Sequence, residues 1–279
     1  MSLNIKQILR ELKITPNKRL GQNFLMNEGI YKRLIDAVEP VAGDTIVEVG
    51  PGLGTLTEYL AQTNTNILAI EKDAKLAQYL TEKYESQNRV TIIKDDILEF
   101  DPAKYGLKTD KYKIVGNIPY YLTTRLLRIV FSSWPRPQSI VLMMQREVSQ
   151  KIVAKPPNMS LLATAVQYYT VPQIIMRVSR GSFYPAPDVD SAIIKLIPHK
   201  NDIIDKEYDS LFFKVVTAGF GQKRRQLLNT LSAGLGIPKE TVQTALEKTG
   251  IDPKERAQNL TINQWHDTTK AFYSRLQVE

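Results

Sequence analysis

The stretch Gly116-Asn117-Ile118-Pro119-Tyr120 follows a run, Tyr112 to Val115, that reads as a buried strand. A strand ending on Gly-Asn-x-Pro-Tyr gathers a carboxamide, a backbone carbonyl and an aromatic face at one point. Ligands of open parallel sheets lie outside the carboxyl ends of strands, and these three groups suit a planar base carrying an exocyclic amine. A second constellation precedes it. Thr45 to Val49 reads as a buried strand that runs into Gly50-Pro51-Gly52-Leu53-Gly54 and then into the helical TLTEYLAQ. Glycines at such a turn let backbone N–H groups approach a ligand, and the helix N-terminus favours polar or anionic atoms. Glu71 ends the next strand, Ile67 to Ile70, 21 positions after Gly50. A carboxylate there is placed to accept hydrogen bonds from ribose hydroxyls. Asp96 follows a third strand, Val90 to Ile93, where an adenine amino group needs an acceptor.

The elements that must position these residues follow from periodicity. Residues 3–13 have helical spacing, and Thr15 to Leu25 forms a basic, amide-rich extended loop broken by Pro16 and Gly21. Helices are expected over 28–38, 74–84, 122–131, 146–154 and 160–169, and a fifth strand over Ser139 to Met144. Val171 to Val178 and Ser191 to Ile197 are β-branched runs that read as an antiparallel pair flanking the loop Gly181 to Pro187. Residues 205–275 show only helical periods, broken at Gly219, Gly234, Gly236 and Gly250. The expected fold is α/β, a Rossmann-like, mostly parallel sheet with an antiparallel edge, followed by a small all-α domain. The expected domains are residues 1–200, with a helical and loop extension over 1–40, and residues 201–279.

Composition narrows the chemistry. The chain has no cysteine, which removes disulfides, thiol catalysis and Cys-ligated zinc. Its two histidines, His199 and His266, are 67 positions apart with no carboxylate-rich motif near either. They read as surface or strand-end residues, not as metal ligands or part of a triad, and no metal is expected. The opening MSLNIKQILRELKI mixes charge into its apolar pattern and does not read as a signal peptide, and no apolar run approaches a membrane span. The expectation is a soluble cytoplasmic monomer. Net charge is +8, and residues 112–200 hold eleven Lys and Arg against three acids, whereas 201–279 hold eleven against ten. A polyanion is expected at the first of these stretches, although a solubilising surface has the same composition. Lys18 and Arg19 beside the extended loop, Arg146, and the cluster Lys223-Arg224-Arg225 are candidate RNA contacts; a solvated helix face is the alternative for the cluster.

A strand, a glycine turn and a distal acid also describe dinucleotide binding, but position 55 is Thr where that pattern continues to its third glycine. The segment Glu48 to Gly54, E-x-G-x-G-x-G, with acids at the ends of the next two strands, instead looks like the S-adenosylmethionine (SAM) site of class I methyltransferases. The resemblance extends over nearly the whole chain. KRLGQNFL (18–25), VEVGPGLGTLTEYL (47–60), GNIPYYLTT (116–124), MMQREVSQKIVAKP (143–156), SFYPAPDVDSAII (182–194), FGQKRRQLLNTL (220–231) and DPKERAQNLT (252–261) resemble the KsgA/Erm-type rRNA adenine dimethylases. The last two stretches resemble the KsgA branch, which acts on small-subunit rRNA. Arg180 stands where the family often has Pro.

The resemblance implies dimethylation at N6 of two adjacent adenosines in the 3′-terminal hairpin of small-subunit (16S) rRNA, on an immature small ribosomal subunit during ribosome biogenesis. It implies cofactor contacts at Asn23, Leu25, Gly50, Gly52, Glu71, Asp96 and Asn117. In that reading, the Asn117 side-chain oxygen and the Ile118 carbonyl each accept an N6–H bond. Pro119 fixes the backbone that aims the carbonyl. Tyr120 stacks on one face of the base, and Phe183 covers the other; a place in the apolar core is the alternative for either ring. Three other readings share parts of the pattern: a nicotinamide-dependent oxidoreductase, opposed by the glycine spacing; a glutamine methyltransferase, opposed by the basic stretch and the C-terminal matches; and a non-catalytic RNA-binding assembly or transcription factor on the same fold. An Erm-like enzyme of large-subunit rRNA is the nearest enzymatic alternative.

Overall fold

The computed structural model describes residues 5–16, 21–119, 122–200 and 206–276. From the N-terminus run α1 (Ile5–Glu11), the two-residue β1 (Phe24–Leu25), α2 (Glu28–Val38), β2 (Thr45–Val49), α3 (Thr55–Ala61), β3 (Asn66–Glu71), α4 (Ala74–Lys83) and β4 (Val90–Lys94). Then come β5 (Tyr112–Asn117), α5 (Thr123–Ser133), β6 (Ser139–Gln145), α6 (Arg146–Ile152), α7 (Leu161–Tyr169), β7 (Thr170–Val178), β8 (Phe183–Tyr184) and β9 (Ser191–Pro198). The helices α8 (Lys206–Phe220), α9 (Leu227–Leu235), α10 (Lys239–Lys248) and α11 (Ile262–Leu276) complete the chain. Among the described residues, no helix is long and apolar enough to cross a membrane.

Seven strands form one sheet in the order β4-β3-β2-β5-β6-β9-β7. Strands β2 to β6 pair in parallel, and β9 runs antiparallel to β6. The chain starts at β2, walks outward to β4, then returns to β5 and walks the other way. The β2–β5 pair is therefore a topological switch point, where a crevice opens at the carboxyl ends of the strands. Register brings those ends level. Val49 lies opposite both Ile70 and Gly116, so Gly50, Glu71 and Asn117 emerge side by side.

Gly116 is required by this pairing. A Cβ at that position would lie 2.7 Å from the Val49 carbonyl oxygen and 3.2 Å from the Val49 side chain. The apolar run of β5 is interrupted by Lys113, which is buried and satisfied at the other end of the sheet. Its Nζ donates to the Glu39 carbonyl at 2.6 Å and pairs with Asp44 at 2.7 Å. Helix α2 lays Ile30, Tyr31, Leu34, Ala37 and Val38 into a core shared with Ile46, Val115, Val141 and Ile193. Each such aliphatic side chain, fully buried, contributes about 1.5–3 kcal/mol.

The loops around residues 24 and 183 form a two-stranded sheet of their own, with Phe24 opposite Tyr184 and Leu25 opposite Phe183. Both segments read as loops in sequence, because two residues carry no alternation.

The chain divides into one compact unit of residues 1–149 and 173–198 and another of 150–172 and 199–279. Residues 150–172 thus group with the C-terminal helices. The reason is α7, whose Tyr168 is fully buried in the second core, its ring 3.9 Å from that of Phe212 and its hydroxyl donating to Asp209 at 2.6 Å.

Candidate active site

A cavity of about 350 Å³ opens at the switch point. Its lining includes Asn23, Leu25, Gly50, Gly52, Glu71, Asp96 and Asn117, the seven positions expected to contact cofactor, together with Pro119. The level strand ends explain why residues so far apart in sequence meet here.

The glycine turn is held by Glu71. The Gly52 N–H donates to Glu71 Oε2 at 3.0 Å, and the Asp73 N–H donates to Glu71 Oε1 at 2.9 Å. Each carboxylate oxygen has two acceptor sites, so Glu71 braces the turn and retains capacity for a ligand hydroxyl. Burial raises its pKa, and the Asp73 and Gly52 amides oppose that shift. Asp96 is also engaged. Its Oδ2 receives Lys72 Nζ at 2.7 Å and its Oδ1 the Leu98 N–H at 3.0 Å. Burial works to raise the Asp96 pKa, but the Lys72 hydrogen bond, the Leu98 amide and the charges of Lys72 and Arg125 leave it below the ordinary value.

The segment Gly21 to Leu25 runs across both constellations. Phe24 packs on Gly52, and Gly21 sits against Pro119 so closely that a Cβ there would lie 2.9 Å from the Pro119 Cβ. The Tyr31 hydroxyl fixes the segment by donating to the Leu25 carbonyl at 2.9 Å. Most telling is the contact to Asn117, whose Nδ2 donates to the Asn23 carbonyl at 3.2 Å. This bond orients the carboxamide, assigning nitrogen to the loop and leaving Oδ1 as an acceptor.

Ile118 is 2% exposed, so its side chain anchors the motif in the core while its peptide belongs to the strand end. Tyr120, Lys18 and Arg19 lie outside the described residues. Phe183 differs from expectation: it is 3% exposed, packs in the core with Leu25, Tyr31 and Met143, and does not line the cavity. The β1–β8 ladder decides this, since pairing with buried Leu25 turns Phe183 inward. In this arrangement its ring offers no open face to a base. Arg146 lies outside the cavity lining, 3.6 Å from the Asp190 carboxylate, with both side chains partly exposed. Lys223, Arg224 and Arg225 are exposed in the turn between α8 and α9, not on a helix face.

A sequence model of the ribosomal RNA adenine dimethylase family matches residues 14–273. The chain belongs to the ribosomal RNA adenine dimethylase family.

The Ribosomal RNA small subunit methyltransferase A of Dehalococcoides mccartyi is 39% identical over 260 residues, covering 93% of this chain and 89% of that protein. The protein of the same name from Moorella thermoacetica is 37% identical over 275 residues, covering 95% of each. Among solved structures, a dimethyladenosine transferase from Plasmodium falciparum aligns with a TM-score of 0.80 at 23% identity, covering 90% of this chain and 98% of that one. The 23S rRNA methyltransferase ErmE aligns with a TM-score of 0.73 at 23% identity, covering 89% and 99%. These two likenesses establish the fold, a class I methyltransferase sheet with a helical C-terminal part. The protein is a SAM-dependent rRNA adenine N6-dimethyltransferase.

The residues of the cavity fit that cofactor. A Cβ at Gly50 would meet nothing within 4 Å, so the glycine leaves a bare backbone edge facing open space, and its φ of +67° suits glycine. Glu48, at the penultimate position of β2, lines the same cavity, is 1% exposed, and has an Oε2 with no hydrogen-bond partner among the described residues. Burial, before any other cause, pushes its carboxyl up to about 8; the Thr57 hydroxyl lowers it and the Glu71 charge raises it further. A buried, incompletely paired carboxyl is the complement of a cationic ligand. Glu48 was legible as the acid of E-x-G-x-G-x-G, but nothing local marked it as buried against the cavity. Lys72 and Arg125, also in the lining, were not singled out by the sequence.

Proposed function

We propose that this dimethylase methylates N6 of two adjacent adenosines, twice each, in the 3′-terminal hairpin of small-subunit rRNA. Its substrate in this reading is an immature small ribosomal subunit, met in the cytoplasm by a monomeric enzyme. Relatives carrying the small-subunit name along 89% and 95% of their own lengths support the choice of subunit.

The observation that carries the mechanism is the orientation of Asn117. With Nδ2 committed to the Asn23 carbonyl, Oδ1 is the group presented to a target amine. The N6 lone pair of adenine is delocalised into the ring, which makes it a poor nucleophile. Asn117 Oδ1 and the Ile118 carbonyl, each accepting one N6–H, draw the nitrogen toward tetrahedral geometry and localise that pair. Pro119 restricts the backbone that aims the carbonyl, and Tyr120 stacks on the base and offsets the cost of unstacking it. SAM, when bound, supplies a methyl carbon already activated by its sulfonium. The protein's part is therefore chiefly placement, which accounts for a large share of such accelerations. A neutral carboxamide suffices because the departing proton can pass to water. Glu71 and Asp96 are the acceptors for the cofactor's ribose and adenine, and Glu48, protonated without a ligand, gives up its proton to place negative charge beside a bound cation.

The deciding experiment is methyl transfer from SAM to purified, unmodified small ribosomal subunits and, separately, to large subunits. Incorporation of dimethyladenosine into small-subunit rRNA alone is expected. Transfer to the large subunit would place the enzyme with the Erm-like alternative, and binding without transfer would reduce it to an assembly factor.

A further inference from the structure

The chain's two histidines, 67 positions apart in sequence, stand on the wall of one cavity of about 590 Å³ within the second unit. It is distinct from the first cavity: among the described residues, none lines both. That volume is in the range of small-ligand pockets.

One wall is rigidly built. Gln167 donates its side-chain N–H to the Ile152 and Ala154 carbonyls at 2.7 and 2.8 Å. His199 Nε2 lies 3.2 Å from the Gln167 carbonyl oxygen, and the His199 backbone N–H donates to the Tyr169 carbonyl at 3.0 Å. His266 faces the same space from α11. Its Nδ1 is 4.0 Å from Asp267, and its Nε2 is buried with no hydrogen-bond partner among the described residues. A buried ring nitrogen without a partner destabilises the fold until something completes it. Burial, then the Lys270 charge, hold His266 below its ordinary pKa against the opposing effect of Asp267, so at neutral pH it is an imidazole with one donor and one acceptor.

The remaining lining divides by chemistry. Val171, Pro172 and Ile262 supply apolar lining, Lys155 and Asn263 are exposed, and Asp267 is the one acid of the lining among the described residues. An apolar face for a flat ring, donor–acceptor groups at its edge and an exposed ammonium alongside are the requirements of a nucleotide.

We propose that this cavity is a second nucleotide site, which takes one unpaired nucleotide of the RNA substrate away from the methylated adenosines. The phosphate lies toward Lys155, and the base rests on the Val171-Pro172-Ile262 face within reach of His266 and Asn263. The site anchors the RNA and takes no part in methyl transfer. The inference rests on the protein having an RNA substrate, as its family does.

Because the chain has only two histidines, histidine-selective NMR reads this cavity directly. The probes are an unmethylated small-subunit rRNA hairpin with flanking single strands and, separately, adenosine 5′-monophosphate. Both imidazole signals are expected to move with either probe, and the RNA is expected to displace the mononucleotide. Signals that stay in place while RNA binds would overturn the proposal. Movement with the mononucleotide alone would also overturn it and assign the cavity to a free nucleotide. In kinetics on small subunits, His266→Gln and the exposed-site variant Lys155→Ala are each expected to raise the KM for RNA about tenfold, with kcat and SAM affinity unchanged. A wild-type KM in Lys155→Ala, whose position on the surface leaves folding intact, would refute the site even if His266→Gln were unstable. If methyl transfer to small subunits failed while the imidazole shifts persisted, the substrate assignment would fall and the cavity would stand.

Discussion

Glu48→Gln isolates one buried titrating carboxyl. The Glu48 carboxyl is 1% exposed and is pushed up to about 8 from 4.5, first by burial. The folded apo protein thus binds this proton more tightly than the unfolded chain does. The contribution to stability is fully present below the unfolded pKa and is lost as pH rises through the folded one, between about pH 4.5 and 8. Within that window the slope is about 1.4 kcal/mol per pH unit. From pH 5.5 to 7.5 the wild type should therefore lose about 3 kcal/mol through this group alone. Gln is nearly isosteric and does not titrate. Thermal unfolding of both proteins without cofactor, at half-unit steps from pH 5 to 9, gives the difference Tm(Glu48→Gln) minus Tm(wild type). At about 2–4 °C per kcal/mol, this difference should climb by roughly 5–10 °C between pH 5.5 and 7.5 and level off above about pH 8. A cationic cofactor favours the ionised carboxyl, so calorimetry in buffers of different ionisation enthalpy should show proton release on SAM binding to the wild type near pH 7 and none in the variant. A pH-independent Tm difference would refute the claim that Glu48 is held protonated in the apo cavity.

Three further substitutions test the remaining parts. Asn117→Ala should lower kcat about 10²–10³-fold while SAM affinity by calorimetry stays within a few-fold; full activity would remove the carboxamide from the chemistry. Gly116→Ala forces a Cβ to 2.7 Å from the Val49 carbonyl, and urea unfolding should show a loss of about 1–3 kcal/mol, with weaker SAM binding as the glycine turn shifts. Phe183→Ala empties a core position that is 3% exposed and should cost about 3–5 kcal/mol, with turnover largely kept wherever the protein remains folded. Loss of turnover at unchanged Tm would instead return this ring to the base.

The parts of the site legible in sequence were those written locally. Each of Gly50, Glu71, Asp96 and Asn117 stands where an apolar run stops, and a strand's end is announced by its own residues. Motif order along the chain then led to the methyltransferase fold and its chemistry. Tertiary structure alone decided the rest, because pairing and burial join residues that carry no mark of each other. The register setting Val49 opposite Gly116 makes that glycine obligatory. The ladder between residues 24–25 and 183–184, too short for any periodic signal, buries the aromatic that the sequence offered to a base. The Asn23 carbonyl orients the Asn117 amide from 94 positions away. Helix α7, helical by its period, shows only through its packing on Phe212 that it belongs with the second unit. Sequence thus determined which groups are present at each strand end; the non-local packing of the sheet determined which of them face the cavity, and in what charge state.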